Sequence, residues 1–103
     1  MDSAFQALSS TTRRRILAYL SKSSLTAGEI AERFEMSKPA ISKHLSVLEN
    51  AGLVQSTKQG LHVHYSLNKN NLFAELNDFL VTFCPEGRPL KLESATIKKK
   101  RGD

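Results

Sequence analysis

A single cysteine, Cys84, rules out an intramolecular disulfide and suits a reducing compartment. No apolar run approaches the roughly 20 residues that a membrane-spanning helix needs. The N-terminus lacks the charged-then-apolar pattern of a secretion signal, so a cytoplasmic location is expected. There is no Ser/His/Asp set, no pair of carboxylates in a cleft pattern and no phosphate-cradling glycine loop. The expectation is a non-enzyme with no catalytic residues and no cofactor. No internal repeat is visible, and 103 residues suffice for one domain with a modest core.

Positive charge is plentiful by contrast. Fifteen Lys and Arg against ten Asp and Glu leave a formal charge of +5, which suits a polyanionic partner. Four of those positive charges, Lys98, Lys99, Lys100 and Arg101, crowd the C-terminal end. Between residues 36 and 70, Lys38, Lys43, Lys58 and Lys69 face only Glu49, a local excess of three. The helical pattern that follows carries Glu75 and Asp78 and no base up to Cys84.

Residues 2–8 read as a short helix with Phe5 and Leu8 on one side. Thr12 is placed to cap a second helix over 13–21, with Ile16, Leu17 and Leu20 inward and Arg13 and Arg14 outside. Thr26 and Glu29 form a capping box for a helix over 27–34, striped by Ile30, Ala31 and Phe34. Glu35 and Met36 make a turn. Ser37 caps the next helix, Pro39 sits in its first turn, and Gly52 ends it near Asn50. Residues 53–58 and 61–67 read as strands, with Leu61, Val63, Tyr65 and Leu67 alternating with His62, His64 and Ser66; Gln59-Gly60 supplies the tip. A last helix opens in the cap-rich 68–71 stretch and is expected to end at Cys84, where Pro85, Gly87 and Pro89 break the pattern. This yields residues 1–84 as a DNA-binding and dimerisation domain and 85–103 as a flexible basic C-terminal arm. The fold class is mostly α with a small β-hairpin (α+β), in the order α-α-α-α-β-β-α. Two helices across a short turn, then a β-ribbon, is the layout of a winged helix-turn-helix, which lays its second helix in the major groove.

At 100° per residue, Ile41, Leu45 and Leu48 fall within 60° and define the buried side of that second helix. Pro39, Ser42, Lys43 and Ser46 point the opposite way, Ser37 and Lys38 occupy the N-terminal end, and His44 lies on the flank. Serine hydroxyls and lysines engage phosphates and base edges. No Arg, Asn or Gln stands on the exposed face, so part of the specificity is expected from DNA shape and bridging water.

The last helix has more apolar surface than one side needs. Leu72, Leu76, Phe79 and Phe83 recur at i, i+4, i+7 and i+11, and Phe73, Leu80 and Val81 widen the stripe. With Phe5 and Leu8 these residues form a contiguous patch that a monomer would expose. A homodimer through the first and last helices covers it and sets two recognition helices about 34 Å apart.

The segments FQALSSTTRRRILAYL, AGEIAERFEMSKPAISKHLSVLENAGLV and GLHVHYSL resemble the ArsR/SmtB family of winged-helix repressors over about residues 5–83, and look closest to its short SdpR-type autorepressors. The resemblance implies a homodimer on double-stranded DNA at an inverted-repeat operator, with the wing on the flanking groove. It implies DNA contacts from Ser37, Lys38, Pro39, Ser42, Lys43 and His44 and from wing residues 58–62, Lys58, Gln59 and His62 among them; Ser46 joins these by its place on the exposed face. Metal-sensing relatives carry Cys-x-Cys on the first helix of the motif, or Asp and His pairs on the last helix. Residues 26–34 have no thiol here, and the last helix offers Glu75 and Asp78 without a histidine. A dithiol switch needs a second cysteine. No metal is therefore expected. His62 and His64 share a face of the ribbon but lack acidic or thiol partners, and are expected near phosphate or solvent. The competing reading is a protein-interaction module, against which the lysines and the lack of large apolar groups on the recognition face count. A regulator gated by an unidentified ligand or by oxidation of Cys84 is a third.

Overall fold

Three apolar stripes converge to make the core. Ile16, Ile30, Ile41, Leu45, Leu48 and Leu53 are fully enclosed, and Ala4, Ala7, Leu17, Leu20, Ala27, Phe34, Ala51 and Val54 close around them. Enclosing each large aliphatic side chain contributes roughly 1.5–3 kcal/mol, more than any single cap or surface contact. No polar or charged residue is buried among those described. The computed structural model describes residues 2–102, apart from the side chains of Asp2, residues 83–88 and Lys91.

The elements are α1 (Asp2–Leu8), α2 (Thr11–Tyr19), β1 (Leu25–Thr26), α3 (Ala27–Ala31), α4 (Lys38–Asn50), β2 (Val54–Gln59), β3 (His62–Leu67) and α5 (Lys69–Lys100). The winged helix-turn-helix order is as expected, with one strand added. β3 lies centrally in a three-stranded sheet of order β1-β3-β2. It pairs antiparallel with β2 from Val54↔Leu67 to Gln59↔His62, and with β1 at Leu25↔Tyr65 and Thr26↔His64. Two residues are too few to show an alternating pattern, which is why β1 escapes the sequence reading. It ties the start of α3 to the base of the wing.

Caps decide the helix boundaries. Ser10, not Thr12, caps α2: its side chain accepts from the Arg13 N–H, and the helix starts two residues earlier than expected. Thr26 and Glu29 form the reciprocal capping box of α3. That helix stops at Ala31 rather than Phe34, because the chain tightens into i→i−3 bonds, Arg33 N to Ile30 O at 2.9 Å and Phe34 N to Ala31 O at 3.1 Å. Phe34 still anchors the turn, edge-on to Tyr19 at 5.6 Å and beneath the Arg15 guanidinium at 4.7 Å. The first helix ends differently. Arg13 Nε donates to Ala7 O at 2.8 Å, Arg13 Nη2 to Gln6 O at 3.0 Å and Arg14 Nη1 to Leu8 O at 2.6 Å. The two arginines expected to face outward thus satisfy the last carbonyls of α1.

At the hairpin tip Gly60 has φ +64, and no other described residue except Gly52 and Gly102 has positive φ. Glycine first and a negative-φ residue second in a two-residue loop is the type II′ pattern that matches strand twist.

The expected break after Cys84 does not end the last helix. α5 runs 32 residues to Lys100, so residues expected as a flexible arm are helical. Pro85 and Pro89 each remove one backbone donor. The helix nonetheless continues through both, and Lys98, Lys99 and Lys100 in its last turn suit the negative end of its dipole. At about 1.5 Å per residue such a helix extends nearly 50 Å, which accounts for the 67 Å length of the molecule. No described helix is long and apolar enough to cross a membrane.

Candidate nucleic-acid interface

Ser37 caps α4 by accepting from the Ala40 N–H at 3.2 Å, and Pro39 stands in the first turn. The accepting oxygen is occupied, but the hydroxyl proton is free to donate outward. Ile41, Leu45 and Leu48 fix the buried side of the helix. Opposite them Ser37, Lys38, Pro39, Lys43 and Ser46 are exposed, and Ser42 is half-buried. A helix start with free N–H groups, flanked by two lysines, offers fixed donors to phosphate and base-edge acceptors.

The wing stands beside this face. Lys38 and Ser42 line one wall of an open cleft of about 410 Å³; Leu61, His62, Val63 and Tyr65 line the other, with Thr26, Ala27 and Gly28 at its end. The structure thus gathers Lys38, Ser42 and His62 into one groove. Lys58 and Gln59 stand exposed on β2, opposite Val63 and His62. Leu61 at the tip is 95% exposed and Val63 is 42% exposed, because the apolar alternation of β3 runs past the end of the core. Thr26 and Gly28 were not among the expected site residues; the capping role of Thr26 and the helical place of Gly28 gave no sign that they also border the groove.

His44 departs from a free outward position. It is half-buried, and its Nδ1 accepts from Arg13 Nη1 at 3.3 Å. Burial, then the adjacent Arg13 charge, hold its imidazole below the ordinary value of 6.5. At the end of the groove, the backbone N–H of Thr26 that Glu29 accepts at 2.9 Å is the largest influence holding that carboxyl below its usual range; the Thr26 hydroxyl and then His64 and His62 act the same way. His62 is exposed and His64 half-buried, and no group of three His, Cys, Asp or Glu able to hold a metal gathers among the described residues.

The expected dimer face divides in two. Leu8 and Leu72 pack partly against the core. Phe73, Leu76, Phe79 and Leu80 are exposed, as is Val81, and Phe5 is half-buried against Phe79 with ring centroids 5.1 Å apart. The side chains of Phe83 and Cys84 lie outside the described residues.

A capped, solvent-facing second helix beside a basic β-ribbon defines a winged helix-turn-helix DNA-binding regulator. Residues 10–56 match the family model described as "Bacterial regulatory protein, arsR family". The transcriptional repressor SdpR of Bacillus subtilis is 40% identical over 87 residues, covering 84% of this chain and 96% of that one. An ArsR-like transcriptional regulator from Rhodococcus sp. RHA1 superposes with a TM-score of 0.73 at 38% identity, over 95% of this chain and 86% of its own. A homodimeric winged helix-turn-helix DNA-binding domain from Mycobacterium bovis, at 23% identity and a TM-score of 0.66, shares the fold over 84% of this chain and 79% of its own. The chain belongs to the ArsR family: it is a transcriptional regulator, not an enzyme.

Proposed function

We propose that the chain is a cytoplasmic repressor that acts as a homodimer on an inverted-repeat operator, with the DNA upstream of its own gene as the first target to test. Residues 1–84 carry DNA binding and dimerisation. Ser37, Lys38, Pro39, Ser42, Lys43, His44 and Ser46 read or clamp the major groove, while Lys58, Gln59 and His62 hold the flanking backbone. The observation that carries this reading is the groove shared by Lys38 and Ser42 with His62 and the wing tip. Phe5, Phe73, Leu76, Phe79 and Leu80 supply the dimer contact, with Leu8 and Leu72 at its edge and Phe83 continuing the stripe. Exposed aromatic and aliphatic groups on one helix support this assignment, since covering them offsets the cost of association. Occupancy is set by protein concentration, without a metal inducer.

The test is binding of the purified protein to its own upstream DNA and to random DNA, at two salt concentrations, with and without a zinc chelator. The expected result is a preference of about a thousandfold or more that ignores the chelator. Equal weak affinity for both DNAs overturns the operator reading and favours a protein partner. Loss of the preference on chelation overturns the metal-free one.

A further inference from the structure

The recognition helix has two flanks. The wing lies along the Lys38 and Ser42 side. On the other side stands Arg13 of α2, whose three guanidinium nitrogens are all committed: Nε to Ala7 O, Nη2 to Gln6 O and Nη1 to His44 Nδ1. An arginine only donates and does not lose its proton in a protein. His44 Nδ1 is therefore an acceptor, and in the neutral ring the single proton must sit on Nε2. Nε2 has no partner among the described residues, and none of their buried side-chain nitrogens or oxygens lacks one, so this N–H is open to solvent.

From this geometry we infer that Arg13 is a positioning residue for DNA recognition: it holds His44 in the Nε2–H tautomer and fixes the ring, so that Nε2–H is presented to an acceptor on operator DNA. The inference rests on the recognition-helix reading above. An unconstrained histidine samples two tautomers and several rotamers, and its donor would point at a DNA oxygen or nitrogen only part of the time. Arg13 removes that freedom in the free protein, before DNA arrives. Its own anchor is the end of α1, whose Gln6 and Ala7 carbonyls accept from it and whose Phe5 packs edge-on to Phe79. Three of the five guanidinium N–H groups are used in these bonds, and the influence of Arg13 on DNA is expected to pass through His44.

Two measurements test this on the full chain. Long-range ¹H–¹⁵N correlation of the imidazole nitrogens in the free protein, at a pH above the histidine range, should show His44 as the pure Nε2–H tautomer. Arg13→Gln should shift it to a mixture. A mixture already in the wild type overturns the inference, whatever the DNA does. Operator binding then reads the consequence. His44→Leu and Arg13→Gln are each expected to lower affinity about tenfold, the scale of one hydrogen bond lost. The double variant should bind no worse than His44→Leu alone, because Arg13 acts through His44. His44→Gln, whose amide N–H reaches the position of Nε2, should recover part of the loss. Losses that multiply in the double variant, or full affinity in His44→Leu, overturn the proposal. Circular dichroism on each variant separates these results from unfolding. If wild type shows the pure tautomer yet no operator preference, the recognition-helix reading fails and the Arg13–His44 geometry stands as a structural contact alone.

Discussion

Gly52 offers its carbonyl oxygen to the side-chain amide of Asn71 at 2.7 Å, and a Cβ on Gly52 would stand 2.6 Å from that same nitrogen. The end of the recognition helix and the start of α5 are therefore joined at a point where only glycine fits. Its φ of +77 adds a second reason, since an L side chain is strained there.

Gly52→Ala is expected to destabilise the fold by about 2–3 kcal/mol, combining backbone strain with displacement of Asn71. Urea denaturation measures it. Asn71→Ala alone should cost about 1 kcal/mol, and the pair should cost less than the sum, because Asn71→Ala removes the clash. Additive losses would show that Asn71 does not limit Gly52.

Ser37 separates stability from DNA binding. Ser37→Ala removes the α4 cap and should cost about 1 kcal/mol. Ser37→Asp keeps a capping oxygen and should retain stability, but it sets a negative charge where phosphate is expected. Thermal melts near wild type with operator affinity lowered at least tenfold are the expected outcome; unaltered affinity would place the DNA away from this end of the helix.

Lys43 is exposed on the outer face of α4. Lys43→Ala should weaken operator binding and reduce the slope of log affinity against log salt by about one. An unchanged slope would show that this lysine meets no phosphate.

His44 links stability to pH. Burial and Arg13 both favour its neutral form, so its folded pKa lies below the ordinary 6.5 of the unfolded chain. As pH falls the unfolded state takes up the proton first. The contribution is fully present above the unfolded value and is lost progressively as pH falls from there through the folded one. Urea midpoints recorded between about pH 7.5 and pH 5 should fall more steeply for wild type than for His44→Gln. Parallel curves would exclude His44 as the source.

Much of the DNA-reading unit was legible because its signals are local. Ser37, Pro39 and Gly52 bound α4, Thr26 and Glu29 announce α3, and Ile41, Leu45 and Leu48 orient the recognition face. Misreadings arose where the deciding partner is distant or the cue is shared. Ser10 and Thr12 both belong to the N-capping types, and Ser10, the better of the two, holds the position. Arg13 and Arg14 read as outward charges, since nothing in their neighbourhood shows the carbonyls that take them. Pro85 and Pro89 signal a stop, yet α5 continues through both. The groove behind Lys38 and Ser42 depends on the path of the wing, which residue types alone do not fix.

Seven residues are too few for a helix to persist by itself in water. The last carbonyls of α1 accept from guanidiniums of α2, and Ala4 and Ala7 seat it on the core, so its helix depends on contacts outside itself. Hydrogen exchange should find the α1 amides protected less than those of α2 and α4, and Arg14→Ala, which removes one of the three guanidinium bonds to α1 carbonyls, should lower that protection further.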